Sequence, residues 1–213
     1  MNKSGKYICC MAVMAVVWIP LLSFAQTLTL DNFTSGTYVK HLSNAQTQDT
    51  HYAKLPPHSP LGAARQTFFV VSPNPYAQQS TLDIGKGICI VDAGFGTVPG
   101  LDIGYGFTLS GTEVPLGLDL GGYSAFQLNF AGIATSEDLG AIIAVFLHSG
   151  GNYASELVLP TYANPISIDF PFSGFNKPGG LTQADVSDID YIVIETFGGG
   201  FASYGITSFE AID

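Results

Sequence analysis

Ala125-Phe126-Gln127-Leu128-Asn129-Phe130 sets Phe126, Leu128 and Phe130 on one face of an extended chain and Gln127 and Asn129 on the other. An alternation of apolar and polar residues with a period of two is the mark of a strand with one face in a core and one in water. Ile166-Ser167-Ile168-Asp169-Phe170 alternates in the same way. Working outward, Thr67-Phe68-Phe69-Val70-Val71 is β-branched and aromatic and stops at Ser72-Pro73-Asn74-Pro75. Ile88 to Val91, Phe107-Thr108-Leu109, Tyr191-Ile192-Val193-Ile194-Glu195 and Tyr204 to Phe209 read as further strands, and Leu28, Leu30 and Phe33 open the series. Gly and Pro punctuate the gaps at short, fairly even intervals, which predicts an all-β sandwich or barrel.

Two stretches are less direct. Thr135-Ser136-Glu137-Asp138 has the form of a helix cap before Ala141-Ile142-Ile143-Ala144-Val145-Phe146-Leu147. Gly140 and the β-branched run after it favour a buried strand ending at His148. Lys40 to Pro60 has little apolar content and holds Pro56, Pro57 and Pro60, so it reads as a loop or a poorly ordered insertion. Leu82-Asp83-Ile84-Gly85, Leu101-Asp102-Ile103-Gly104 and Leu118-Asp119-Leu120-Gly121 echo one another at uneven spacing. They read as repeated strand-to-turn junctions rather than as a solenoid repeat.

The amino-terminal stretch has a different character. Lys3 and Lys6 precede an apolar run from Ile8 to Ile19, and Ser23-Phe24-Ala25 closes it before Gln26. That is the layout of a secretory signal peptide over residues 1–25, with cleavage between Ala25 and Gln26; a membrane anchor is the competing reading. It predicts a secreted, periplasmic or cell-surface protein with one domain over residues 26–213 and no membrane span after cleavage. The chain carries a formal charge of −10, and losing Lys3 and Lys6 takes it to −12. Five cations scattered over the remainder form no basic patch, so nucleic acid and anionic lipid are excluded as partners. Neutral ligands, cations and other proteins stay open. Cleavage also removes Trp18, Cys9 and Cys10 and leaves Cys89 alone in Gly87-Ile88-Cys89-Ile90-Val91. With no second cysteine the fold rests on packing, and Cys89 reads as a buried strand residue.

From Asp119 onward the order of features resembles the galactose-binding-like jelly rolls, which include several carbohydrate-binding module families and complex I intermediate-associated domains. Asp119-Leu120-Gly121-Gly122-Tyr123-Ser124-Ala125-Phe126-Gln127-Leu128-Asn129-Phe130 resembles their "D-L-S-x-Y-x-x-L-x-F" strand. Ile166 to Phe175 is similar to "V-x-I-P-L-S-D-F", and Leu181 to Ile192 to "L-x-D-V-x-x-I-x-x-I". Upstream, Leu28-Thr29-Leu30-Asp31-Asn32-Phe33 resembles the opening "I-D-D-F", and Leu61-Gly62-Ala63-Ala64-Arg65-Gln66 an "I-G-G-x-R-D" turn of exported bacterial proteins. The resemblance implies a jelly-roll β-sandwich that binds rather than cuts a glycan. It departs from the family in two places: the chain after residue 25 has no Trp, and Thr207 replaces the aspartate of the last strand's "I-D-N-I". Of the structural calcium site that the family implies, only Asp31 and Glu210 remain as carboxylate candidates, where calcium takes six to eight oxygens.

Candidate chemistry is sparse. His41, His51 and His58 fit no zinc spacing. Gly122-Tyr123-Ser124-Ala125-Phe126 opens like a nucleophile elbow but lacks its closing Gly, and His148 has no evident orienting partner. Glu113, Glu156 and Glu195 are the carboxylates available to a glycoside hydrolase. Aromatics give the binding candidates: Tyr153 and Tyr162 flank Glu156, while Phe201 and Tyr204 follow Gly198-Gly199-Gly200. Tyrosine's flat apolar ring and hydroxyl suit a sugar or a protein surface; the alternative is that these rings fill the core or its rim. The expected function is therefore a non-catalytic module for a neutral ligand, foremost a glycan. Next come a structural or adhesive surface protein that binds another protein, and then a glycoside hydrolase.

Overall fold

A computed structural model describes residues 26–136, 140–177 and 183–213; the expected signal peptide and its Ala25–Gln26 junction lie at or beyond the edge of these residues. Among the described residues the regular structure is one 3-10 turn (Phe172–Gly174) and fourteen strands: β1 (Thr27–Asp31), β2 (Tyr38–Leu42), β3 (Gln48–Lys54), β4 (Ala64–Val71), β5 (Ser80–Gly85), β6 (Ile88–Asp92), β7 (Pro99–Phe107), β8 (Ala125–Ala134), β9 (Ala141–His148), β10 (Asn152–Val158), β11 (Tyr162–Ala163), β12 (Ile166–Pro171), β13 (Tyr191–Gly198) and β14 (Ser203–Ile212). They form two antiparallel sheets. One runs β11-β8-β14-β6-β5-β2, with β12 also on β8 and β1 on β14; the other runs β10-β9-β13-β7-β4-β3. The result is the expected β-sandwich of jelly-roll type.

Alternation explains the core. Phe126, Leu128 and Phe130 of β8 are buried, and they face Ile143, Val145 and Leu147 of β9 and Ile192 and Ile194 of β13 within one apolar cluster. Phe126 packs edge-on against Phe172 and Phe175 and lies 5.0 Å from Phe209. Truncating such a ring typically costs about 3–5 kcal/mol through lost burial and a residual cavity. Cys89 is fully buried as expected, and burial pushes its thiol up to about 12.

The two upstream segments that carry the family likeness meet inside this core. Arg65 of β4, with no exposed surface, holds Asp31 of β1 at 2.8 Å. Asp31 also accepts hydrogen bonds from the Tyr105 hydroxyl (2.9 Å) and the Phe33 amide (2.8 Å). Arg65 donates further to the carbonyls of Ser35 and Gly36. Gly36 is required there: its φ is +64°, and a Cβ would lie 2.7 Å from that of Ala53. The pair joins one sheet to the other, and the buried charges are hydrogen-bonded at every polar atom except Arg65 Nε.

Three expectations are corrected. Residues 40–60 are loop only in part: the end of β2 and the whole of β3 occupy about half of the stretch, one strand at the edge of each sheet, and 43–47 and 55–60 connect them. Edge strands bury few side chains, here chiefly Leu42 and Ala53, so a low apolar content misleads. Thr108 and Leu109 lie past the end of β7, in a turn closed by the Thr108–Thr112 backbone pairing. Of the three Leu-Asp echoes, only Leu82 to Gly85 ends a strand at a turn; Leu101 to Gly104 lies inside β7 and Leu118 to Gly121 precedes β8. The segment 141–147 is a strand, as Gly140 and the β-branched run predicted.

Candidate functional site

Strand register gives the outer face of the six-stranded sheet its composition. Side chains that do not point to the core stand in cross-strand rows. One row reads Asn152, His148 and Tyr191 across β10, β9 and β13. The next reads Ala154, Phe146, Val193, Gly104, Gln66 and Tyr52, continuing through β7 and β4 to β3. The third reads Glu156, Ala144, Glu195, Asp102, Phe68 and Thr50, and the fourth Val158, Ile142, Phe197, Gly100, Val70 and Gln48. From Tyr191 to Phe197 this strip runs about 20 Å along β13 at ~3.4 Å per residue.

Three clefts lie in line on the strip. At the β13 start, one of about 460 Å³ is lined by Glu113, Pro115, His148, Asn152, Asp190 and Tyr191, among others. In the middle, a pit of about 140 Å³ is bounded by Ile142, Ala144, Phe146, Glu156, Glu195 and Phe197. At the far end, one of about 500 Å³ is formed by Pro73, Val98, Ile142, Phe197, Gly198 and Gly199 with neighbouring residues. Ala144 is what makes the pit, since a methyl group stands between two glutamates. Gly106 opens the first cleft, because with φ at +97° any Cβ would meet the Asp190 carbonyl at 2.8 Å.

The polar groups on the strip are arranged and incompletely engaged. His148 is oriented after all: its Nδ1 lies 2.8 Å from Asp190 Oδ2, and its ring stacks on Tyr191 at 5.0 Å. The partner is far from obvious in sequence because it sits 42 residues on, just before β13. Tyr191 donates its hydroxyl to Asn152 Oδ1 at 2.9 Å, leaving the Asn152 amide hydrogens for a ligand. Gln66 donates to the Tyr52 hydroxyl and, with Phe107, leans over Gly104. Asp102 and Glu195 stand directly opposite on β7 and β13. Burial, and then the charge of Glu195, push the Asp102 carboxyl up to about 6.

The four aromatic candidates do not gather at one place: Tyr162 and Tyr204 line an open cleft of about 370 Å³ on the eight-stranded sheet, and Tyr153 and Phe201 lie elsewhere. Tyr153 is buried opposite Leu147, on the inward register of β10. Tyr204 is buried too, and its hydroxyl hydrogen-bonds with Thr196. Both serve the core, because alternation turns them inward. Tyr162 is 75% exposed but belongs to β11, on the other sheet. Phe201, with φ at +65°, sits in a loop cluster with Phe95 and, beyond it, Tyr76. Asp31 is engaged by Arg65, Tyr105 and Phe33, and Glu210 accepts from Ser208, so the two do not form a calcium pair. Among the described residues no three His, Cys, Asp or Glu side chains gather as a metal site. Ser124 donates to the Ile212 carbonyl and has no elbow geometry. Of the glutamates, Glu156 and Glu195 share the pit and Glu113 lines the first cleft.

The residues missed in sequence are Phe68, Asp102, Phe146, Asp190, Tyr191 and Phe197. Their signal was the polar half of each alternation: Tyr191, Val193 and Glu195 had to share a face opposite Ile192 and Ile194. Which strand lay beside β13, and hence what stood next to Glu195, had no local signal.

No family model matches the chain, and no curated protein matches it. Among solved structures it is similar to the carbohydrate-binding module CtCBM11 in its solution structure, at 12% identity and a TM-score of 0.45, over 90% of this chain and 98% of that one. It is similar to the family 11 carbohydrate-binding module from Clostridium thermocellum in complex with a β-1,3-1,4-mixed-linked tetrasaccharide, at 10% identity and 0.36, over 81% and 94%. A third likeness, to TmCBM61 in complex with β-1,4-galactotriose, has 7% identity and a TM-score of 0.34, over 87% and 98%. It is the chain's own strand order, not these likenesses, that establishes its fold.

Proposed function

We propose that the chain is an exported, non-catalytic module that binds a glycan along the outer face of its six-stranded sheet. The observation that carries this reading is the strip itself: three clefts in line, bordered by Phe146, Phe197 and Tyr191, with hydrogen-bonding groups between the rings. Aromatic faces take the apolar faces of sugar rings, while carboxylates, His148 and Asn152 take and give hydrogen bonds to hydroxyls. Binding is favoured because three clefts lie in line over about 20 Å in place of one enclosed pocket; the carboxyls of Glu156, Glu195 and Asp102 at the pit are the groups a hydrolase would use. Export rests on the leader of residues 1–25.

Affinity electrophoresis of the purified chain against a panel of soluble glycans tests the reading. The expected result is retardation by at least one glycan, lost in Phe146→Ala and Phe197→Ala while both variants keep their melting transition. Retardation that survives both variants sinks the assignment to this face. Export is checked by sequencing the mature amino terminus from culture fluid or periplasm, expected to begin at Gln26. Release of reducing sugar that disappears in Asp102→Asn or Glu195→Gln would turn the reading to a hydrolase.

A second reading, adhesion to another protein, is favoured by the loop cluster of Tyr76, Phe95 and Phe201, which are 59%, 58% and 42% exposed. Its rings are tilted at 46° and 63°, a poor platform for a flat sugar and a good set of anchors for a protein pocket.

A further inference from the structure

The charge along the strip is one-sided. Glu113 and Asp190 line the first cleft and Glu156 and Glu195 the pit, and among the described residues no Lys or Arg lines any of the three clefts. Asp102 adds a fifth carboxyl, directly across from Glu195. Like charges so placed destabilise a sheet; Asp190 has His148 at 2.8 Å, while Glu195 and Asp102 stand opposite each other with no basic residue in their row. The cations among the described residues are elsewhere: Lys40 pairs with Asp49 and Arg65 is buried against Asp31, while Lys54, Lys86 and Lys177 are not in the lining of the clefts.

The pit has a second property. Around the Ala144 methyl, register sets Glu156 on one side and Glu195 on the other, with Phe146 on the β9 row beside it and Phe197 diagonal to it. Two carboxylates and two aromatic rings around about 140 Å³ form a setting for a small cation that carries its own N–H donors. An ammonium group is drawn both to carboxylates and to ring faces, more strongly as water is excluded. A hydroxyl would use the acceptors but leave the charge repulsion untouched, and an anionic group would add to it.

Resting on the reading of this face as a glycan track, we propose that its ligand is an amino-sugar chain with unacetylated amines, one ammonium seated between Glu156 and Glu195. The remaining carboxylates, Asp102, Asp190 and Glu113, extend the same preference to ring amines on either side. Uronic and sulfated glycans are excluded by the same charges, and an acetylated amine lacks the positive charge that the two carboxylates favour.

Calorimetry of the full chain with glucosamine oligomers, their N-acetylated counterparts and glucose oligomers of equal length tests this. The glucosamine series is expected to bind at least tenfold more tightly than either of the others. That preference should fall below threefold in Glu156→Gln/Glu195→Gln, and fall with added salt in the wild type, which needs no variant to fold. Asp169→Asn, on the opposite sheet, should leave it unchanged. Equal binding of glucose oligomers, still dependent on Phe146, would overturn the amine preference and leave the glycan track standing. Failure of all three series to bind a folded sample would overturn both. Glucosamine binding weakened as much by Asp169→Asn as by the pit variants would reduce it to general charge attraction and overturn the seat.

Discussion

The two sheets share one core and turn opposite outer faces to solvent. On the eight-stranded sheet the polar side chains satisfy one another: Ser167 donates to Asn129, Asn129 to Ser208, and Ser208 to Glu210. Beside them Gln127 donates to Asp169. On the six-stranded sheet Glu156, Glu195 and Asp102 stand in a row with phenylalanines on either side and no cation among them. A face whose donors and acceptors are already paired has little to gain from a ligand. A face that keeps the partly buried Asp102 carboxyl opposite Glu195, with exposed rings beside them, bears a stability cost that binding can relieve. The same alternating strands, with the same inward residues, can therefore make either a wall or a site.

The largest expected effect concerns what holds the two faces in fixed relation. Asp31→Ala would leave Arg65 buried and unpaired, and urea unfolding should show a loss of about 3–5 kcal/mol. A loss below about 1 kcal/mol would mean that the pair is not the tie between sheets described above. Next, Phe146→Ala should weaken glycan binding by at least tenfold, about 1.4 kcal/mol, whereas Tyr162→Ala on the other sheet should stay within twofold. The reverse ranking, read by the same calorimetry, would exchange the roles of the two faces. On the self-paired face, Ser208→Ala removes the link between Asn129 and Glu210 and should lower stability by about 1 kcal/mol without altering binding.

A smaller effect depends on pH. Folded Asp102 keeps its proton to about 6, whereas an unfolded aspartate releases it near 4. Between those values the folded protein binds more protons than the unfolded chain, so this group lowers stability as pH rises from about 4 to 6, and the loss persists above. Asp102→Asn should therefore be more stable than wild type by about 1 kcal/mol at pH 8, allowing for solvent screening at this half-exposed site, and by little at pH 4. Thermal melts at the two pH values decide it, and a gain of equal size at both would remove the ionisation of Asp102, opposed by burial and then by Glu195, as the cause. Smallest of all, EDTA should leave the melting temperature unchanged, because Asp31 is held by Arg65 and not by calcium; a fall on chelation would reopen the metal reading.

Much of the sandwich was legible because a strand writes its burial into every second residue. Phe126, Leu128 and Phe130 announce the core of β8 without reference to any other strand. The same rule, applied with care, also assigns Tyr153 and Tyr204 to the interior, although tyrosines between glycines invite a surface reading. Residues 40–60 were misread for the opposite reason: edge strands are stabilised by backbone pairing on one side and need few apolar side chains.

The chain's composition and periodicity settle its class, most of its inward residues, the burial of Cys89 in a strand and the acidic balance, since each is a property of local spacing or a count. The site is of another kind. Asp102 and Glu195 are 93 positions apart by number, and the pit joins residues of β9, β10 and β13 through their pairing register. Partner choice and register come from the packing of the whole sandwich, in which each strand's inward set must fit against the facing sheet. Only when that fit is made do the outward residues fall into rows, and with them the neighbours that turn scattered carboxylates and rings into a face able to hold a ligand.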